Sequence, residues 1–276
     1  MGYPIAGHLA RSGHAVTVYN RTRRKAQQWV KEYGGRAAAT PRQAARDADL
    51  VMVCVGNDAD LRSVILGDPG AFAGMSTGST LVDHTTSSAV VARELEAVAR
   101  EHGLHFVDAP VSGGQSGAVN GTLTVMCGGD AAVIDALRPV ATAYARAVTR
   151  VGPSGAGQLA KMVNQICIAG LLQGLSEGIA FGEKMGLDMP VVLEVIAKGA
   201  AQSWQMDNRG RTMLADQFDF GFAVQWMLKD LGIALDEAGG HDAKLPVTTL
   251  VREFYREISR MGGEQWDTSS LIRRLR

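Results

Sequence analysis

Apolar positions in the first half of the chain switch repeatedly between two periods. Leu50 to Val55 (L-V-M-V-C-V) is a nearly continuous apolar run, the signature of a strand covered on both faces as in a parallel sheet. Ala15 to Tyr19, Thr80 to Asp83, His105 to Val107 and Thr122 to Cys127 read as further strands. Between them, Arg23 to Tyr33, Pro41 to Arg46, Ala89 to His102 and Ala131 to Ala145 carry helical spacing. Such alternation predicts an α/β fold, a Rossmann-like doubly wound sheet occupying residues 1–152.

After Gly152 the pattern changes. Pro153 to Gly157 is rich in turn residues, a helical pattern runs from about Gln158 to Met185, and more helices follow to Arg276 with no convincing strand. Residues 153–276 are therefore expected to form an all-helical domain for substrate and dimerisation. Gly170, Gly174, Gly178 and Gly182 recur at every fourth position of the long helix. Each helix-interior glycine costs roughly 0.5–1 kcal/mol relative to alanine. A ridge of them suits the close approach of another helix, for instance from a second subunit, and predicts a homodimer or homotetramer. A chance outcome of 33 glycines is the competing reading.

Composition narrows the function classes. The 276 residues are 46% hydrophobic and 20% charged, as in an ordinary globular protein. Lys+Arg and Asp+Glu each total 28, so no global field favours nucleic acid or an anionic membrane, and recognition must come from a local site. Cys54, Cys127 and Cys167 all sit in apolar runs and are expected to be small buried hydrophobes. Neither H-E-x-x-H nor paired C-x-x-C occurs, so no metal is expected. The apolar segment from Ile166 to Leu175 is too short and too interrupted to span a bilayer, and no leader-like start precedes it. A reducing cytoplasm is the expected compartment.

The most informative segment is G-A-G-Q-L-A-K-M-V-N, residues 155–164. Residues three apart share a helix face, so Lys161 and Asn164 can reach into one cleft. A cation able to give or take a proton, beside an amide that donates and accepts, suits a substrate carrying hydroxyl and carboxylate. Asp108-Ala-Pro-Val-Ser-Gly-Gly114 follows a strand end, where ligands collect in open α/β sheets. There Ser112 offers a hydroxyl, and Gly113 and Gly114 leave backbone N–H groups uncovered, a nest for a carboxylate. Taken singly, each segment is equally a solvated helix face or a plain turn.

With G-T-L-T-V-M-C-G-G (121–129) and K-D-L (229–231) added, the order and spacing of these motifs resemble the β-hydroxyacid dehydrogenase family. That family includes 3-hydroxyisobutyrate dehydrogenases, tartronate semialdehyde reductases and glyoxylate/succinic semialdehyde reductases. The resemblance covers essentially the whole chain. It implies that Lys161 is the catalytic acid/base and that Asn164 orients the reacting oxygen or carboxylate. Ser112, Gly113 and Gly114 would bind the carboxylate, and Lys229 would lie across the cleft near substrate and nicotinamide. Thr86, in D-H-T-T-S, would meet the nicotinamide ribose. Val55 and Gly56 would line the cofactor where many relatives carry Leu-Pro, a departure that weakens this one assignment.

The resemblance also implies an opening strand and a G-x-G-x-x-G turn, of which Met1-Gly2-Tyr3-Pro4 matches only the end, with Gly2 as the third glycine. The expectation is a polypeptide that begins roughly ten residues earlier, and a sheet opened by the absence of its central strand. At the end of the second strand, Asn20-Arg21-Thr22 stands where an NAD-binding carboxylate belongs. Arg21 and Thr22 suit a 2′-phosphate, so NADP(H) is expected, with NAD possible.

Similar imine reductases share the N-R-T segment but carry Asp or Tyr in place of the lysine, and 6-phosphogluconate dehydrogenases have a much longer substrate domain. A non-catalytic cofactor-binding scaffold is the reading from a different class. Trp204, Phe218, Phe220 and Phe222 are expected in the core rather than as a pocket wall.

Overall fold

A computed structural model describes all residues, 1–276, in two compact units, Met1–Lys161 and Met162–Arg276. In the first unit the elements are α1 (Gly2–Arg11), β1 (Thr17–Val18), α2 (Arg23–Tyr33), β2 (Arg36–Ala37), α3 (Pro41–Ala45), β3 (Leu50–Val53), α4 (Asp58–Ile65) and β4 (Thr80–Asp83). They continue with α5 (Ala89–Glu101), β5 (His105–Asp108), β6 (Val111–Ser112), α6 (Gly114–Val119), β7 (Leu123–Gly128), α7 (Ala131–Ala141) and β8 (Ala145–Gly152). The division between units falls inside α8 (Ala156–Lys184).

The strands form two sheets. β1 and β2 make a parallel pair of their own. The larger sheet runs β3-β4-β5-β7-β6, with β8 also paired to β7. β3, β4 and β5 are parallel in register, Val53 opposite Asp83 and Asp83 opposite Asp108. β7 runs antiparallel to β5 and β6 and parallel to β8, so the sheet is mixed.

The two-residue period of the central strands sorts their side chains onto two cores. Leu81 and Phe106 pack with Leu61, Ile65 and Leu95 on one face. Val82 and Val107 pack with Leu123, Ile134 and Tyr144 on the other. Both faces are therefore covered, which is why Thr80–Asp83 has no exposed position. Side-chain oxygens of Asn57, Ser88 and Asp130 cap α4, α5 and α7, satisfying N–H groups that lack intrahelical partners.

The second unit comprises the rest of α8, then α9 (Met189–Ile196), α10 (Trp204–Leu214), α11 (Val224–Gly240), α12 (Pro246–Arg260) and a closing 3-10 segment, Thr268–Leu275. Leu172, Met227, Leu231, Val251 and Tyr255 form its main core. Buried Asp267 accepts from the backbone N–H of Phe222 and Ser269 and from Arg209, fixing the loop before α11 to the C-terminal segment.

Two sequence expectations about burial are corrected. Cys127 is buried, but Cys54 is half-buried and Cys167 exposed, because Cys167 lies on an outward position of α8. Of the four aromatics only Phe218 is buried; Trp204 and Phe220 are exposed and Phe222 is half-buried. Along the glycine ridge only Gly182 is tightly packed, against Met189, while Gly174 and Gly178 face open space. The segment 108–114 that follows β5 contains the short strand β6, since Val111 and Ser112 pair with Val125 and Thr124.

Candidate active site

The segments singled out in the first unit follow the carboxyl ends of its strands. Asn20–Thr22 follows β1, Val55–Gly56 follows β3, Thr86 follows β4, and Ser112–Gly114 lies beyond β5. In an open α/β sheet this edge is where a ligand is received. Gly2 opens α1, and a Cβ there would lie 3.3 Å from the Cβ of Cys54, so the glycine admits the helix start against the end of β3.

A network of buried polar groups ties these loops to the start of α8. Asp108 ends β5, and its carboxylate accepts from the backbone N–H of Gly155 at 2.7 Å and of Gln158 at 3.0 Å. The negative end of this contact faces the positive terminus of the helix dipole. The glycines of the motif are required by the same contact. A Cβ on Gly157 would stand 2.5 Å from the Met126 carbonyl oxygen and 2.6 Å from that of Asp108.

Gln158, fully buried, donates from Nε2 to the Thr85 carbonyl at 2.8 Å and accepts at Oε1 from the Ser87 N–H at 3.1 Å. Thr86 is thus bracketed on both sides. Thr85 in turn accepts at Oγ1 from the N–H of Val55 at 3.1 Å, which joins the loops after β3 and β4. Beside Asp108, buried His84 holds the turn toward Ser112: Nδ1–H donates to the Ala109 carbonyl at 2.6 Å, and Nε2 accepts from the Tyr144 hydroxyl at 3.0 Å. Burial holds the imidazole below its ordinary pKa, and the neutral ring is the form this pair of bonds needs.

Asp83 and Asp108 form a buried acidic pair. Burial pushes Asp83 up to about 7, against hydrogen bonds from Thr85 and Ser87, with the charge of Asp108 adding to the rise. Burial likewise pushes Asp108 up to about 6, opposed by N–H bonds from Gly155, Gln158 and Gly157. A carboxyl whose folded pKa exceeds its unfolded value holds its proton more tightly in the native state. Its stabilisation is present below about pH 4 and is lost as pH rises toward 7. For Asp83 the loss is on the order of 4 kcal/mol. Asp83→Asn should therefore flatten the decline in unfolding free energy between pH 5 and pH 8, as read by urea titration. An unchanged slope would show that Asp83 titrates normally.

Lys161 lies in the second turn of α8 and is only 7% exposed. Asn164 follows on the same helix, half-buried, and Lys229 is half-buried on α11. Arg21 is exposed, with Nη1 3.4 Å from Asp60, a surface pair of small energetic weight. Asn20 accepts from the Thr22 N–H at 2.9 Å and shapes the turn into α2.

Sequence reading gave no role to Asp83, Asp108, Gln158, Gln165 or Asp230, the side chains that hold these segments. Asp83, Asp108, Gln158 and Asp230 stood inside quoted motifs. The glutamines carried no signal, since a glutamine on a helix reads as solvent-facing.

Comparison with known proteins gives concordant matches. Residues 1–152 match the NAD binding domain of 6-phosphogluconate dehydrogenase, and residues 155–275 match the model for NAD-binding of NADP-dependent 3-hydroxyisobutyrate dehydrogenase. An uncharacterized oxidoreductase of Shewanella frigidimarina is 60% identical over 100% of this chain and 94% of its own length. The 2-hydroxy-3-oxopropionate reductase of Escherichia coli is 32% identical over 100% of this chain and 94% of its own. The solved structure of Mycobacterium tuberculosis 3-hydroxyisobutyrate dehydrogenase with L-serine has a TM-score of 0.89 at 28% identity, covering 100% of this chain and 96% of that one.

Proposed function

This chain belongs to the β-hydroxyacid dehydrogenase family, and from that premise we propose that it moves a hydride between NADP(H) and a small β-hydroxyacid or its semialdehyde. At the coarser level it is an NAD(P)-dependent oxidoreductase. The observation that carries the finer reading is the near-complete burial of Lys161 four residues beyond Gly157, on a helix whose first turn is clamped by Asp108.

The residues after β1, β3 and β4 fit a dinucleotide: no acid occupies the end of β1, and Arg21 and Thr22 offer donors to a 2′-phosphate. When bound, the cofactor supplies the hydride. In reduction, the Lys161 ammonium stabilises the developing alkoxide and gives it a proton, leaving a neutral amine that solvent reprotonates. In oxidation the neutral amine takes the hydroxyl proton. Asn164 orients the reacting oxygen or the carboxylate. Ser112 and the N–H groups of Gly113 and Gly114 bind the carboxylate, and Lys229 supplies a further positive charge for an anionic substrate. Gly2, Asn20, Val55, Gly56 and Thr86 complete the cofactor contacts.

Steady-state assays with NADPH and with NADH against glyoxylate, succinic semialdehyde, tartronate semialdehyde and methylmalonate semialdehyde test this reading. Turnover of at least one acid, with NADPH the more efficient cofactor, is the expected result. No turnover across the panel overturns the substrate class, and equal or better efficiency with NADH overturns the cofactor preference.

Homo-oligomerisation forms part of the proposal. The second unit has an apolar groove of about 290 Å³ along Gly174 and Gly178, lined also by Leu171, Leu175, Val192 and Ile196. Phe181, Val191 and Val195 stand exposed on the same helices. Exposed apolar surface of this kind marks an interface, and a second copy of the glycine ridge suits it. Light scattering of the purified chain at monomer mass would reject it. No helix is long and apolar enough to cross a membrane.

A further inference from the structure

Within the second unit, four polar side chains form a continuous chain of contacts. Asn164 Nδ2 donates to Gln165 Oε1 at 2.8 Å, and Gln165 Nε2 donates to Asp230 Oδ2 at 2.7 Å. The other carboxylate oxygen of Asp230 lies 3.1 Å from the Lys229 ammonium. The two middle members are buried, Gln165 at 2% exposure and Asp230 at 0%, whereas the two ends, Asn164 and Lys229, are half-buried. The interior of the chain is thus dry and its ends reach outward.

This arrangement has a directional consequence. An asparagine amide can present either its oxygen or its nitrogen, and a neighbour that accepts from the nitrogen selects one orientation. With Nδ2 held toward Gln165, the planar amide turns Oδ1 the other way, as an acceptor for a hydroxyl. The Gln165 amide performs the same selection at its other end. Because Oε1 accepts from Asn164, Nε2 must face Asp230, and that bond leaves the second oxygen of Asp230 for Lys229. If Gln165 only filled the core, a methionine of similar length would serve without the cost of burying an amide.

We propose that Gln165 is a positioning residue for the reaction, its side-chain amide setting the orientation of Asn164 and, through Asp230, the place of the Lys229 ammonium. The proposal rests on the reading that Asn164 and Lys229 act on the substrate. Gln165, buried at 2% exposure, acts through Asn164 and Asp230.

Gln165→Met and Gln165→Glu, each compared with wild type in the full chain, test it. The methionine variant keeps the volume and removes both hydrogen bonds. Its expected signature is a rise on the order of tenfold in KM for the acid substrate, with KM for NADPH and the melting temperature little changed. The glutamate variant keeps the acceptor for Asn164 but sets a carboxylate against Asp230. It should be as impaired as the methionine variant at pH 8. As pH falls toward 5.5, its activity relative to wild type should recover, because a proton shared with Asp230 restores the donor that Gln165 supplied, with Lys229 still paired to the far oxygen.

Kinetic constants of Gln165→Met within twofold of wild type would overturn the proposal. So would parallel losses in substrate KM, cofactor KM and stability with no acid recovery in Gln165→Glu, the pattern of a purely structural role. A wild-type protein inactive on the whole panel overturns the parent reading and this one together. An active wild type with an unaffected Gln165→Met overturns this one alone.

Discussion

Lys161→Ala should lower kcat by about 10²–10⁴, the usual cost of removing a positioned general acid or base, while KM for NADPH changes little. Lys161 as a residue is 7% exposed, and a low local dielectric there strengthens the pull of its ammonium on a developing alkoxide. Lys161→Arg separates the two contributions. It keeps a positive charge but holds its proton too tightly to transfer it, so the loss should be nearly as deep. Single-turnover measurements with NADPH in excess would isolate the hydride step. A fall of less than about tenfold in Lys161→Ala would mean that the proton comes from another group.

The second large effect is expected at a residue without a side chain. Gly157→Ala should destabilise the protein by about 3 kcal/mol, because the added methyl meets the backbone oxygens of Met126 and Asp108 at 2.5 and 2.6 Å, and backbone cannot step aside as a flexible side chain can. Relief would require the first turn of α8 to move off Asp108, carrying Lys161 with it one turn later. A displacement of about 1 Å at a reacting group can cost about 10²-fold, so kcat should fall along with stability. Gly239→Ala is the control: it lies in helix α11 with nothing near its missing Cβ, and should be neutral or stabilising by up to about 1 kcal/mol. Equal urea midpoints for Gly157→Ala and wild type would contradict the tight packing.

Particular elements show how far the sequence could be read. The strand at Thr80–Asp83 and the helix at Arg23–Tyr33 lie where their apolar patterns put them, and α8, expected from Gln158 to Met185, runs from Ala156 to Lys184. In contrast, β8 was invisible. Its sequence, A-R-A-V-T-R-V-G, places two arginines among small and β-branched residues, and its strand form depends on pairing with β7 rather than on its own pattern. β2 and β6, two residues each, are likewise defined by their partners, β1 and β7.

By itself the chain's pattern determined the α/β-then-helical architecture and the motifs that mark the family, because both are encoded in local periodicity and spacing. Only the tertiary structure decided which polar groups lose their water. Asp108 reaches an N–H 47 residues away, and Gln165 meets a carboxylate 65 residues away. Burial of such pairs is a property of packing, and no local stretch of sequence records what will pack against it.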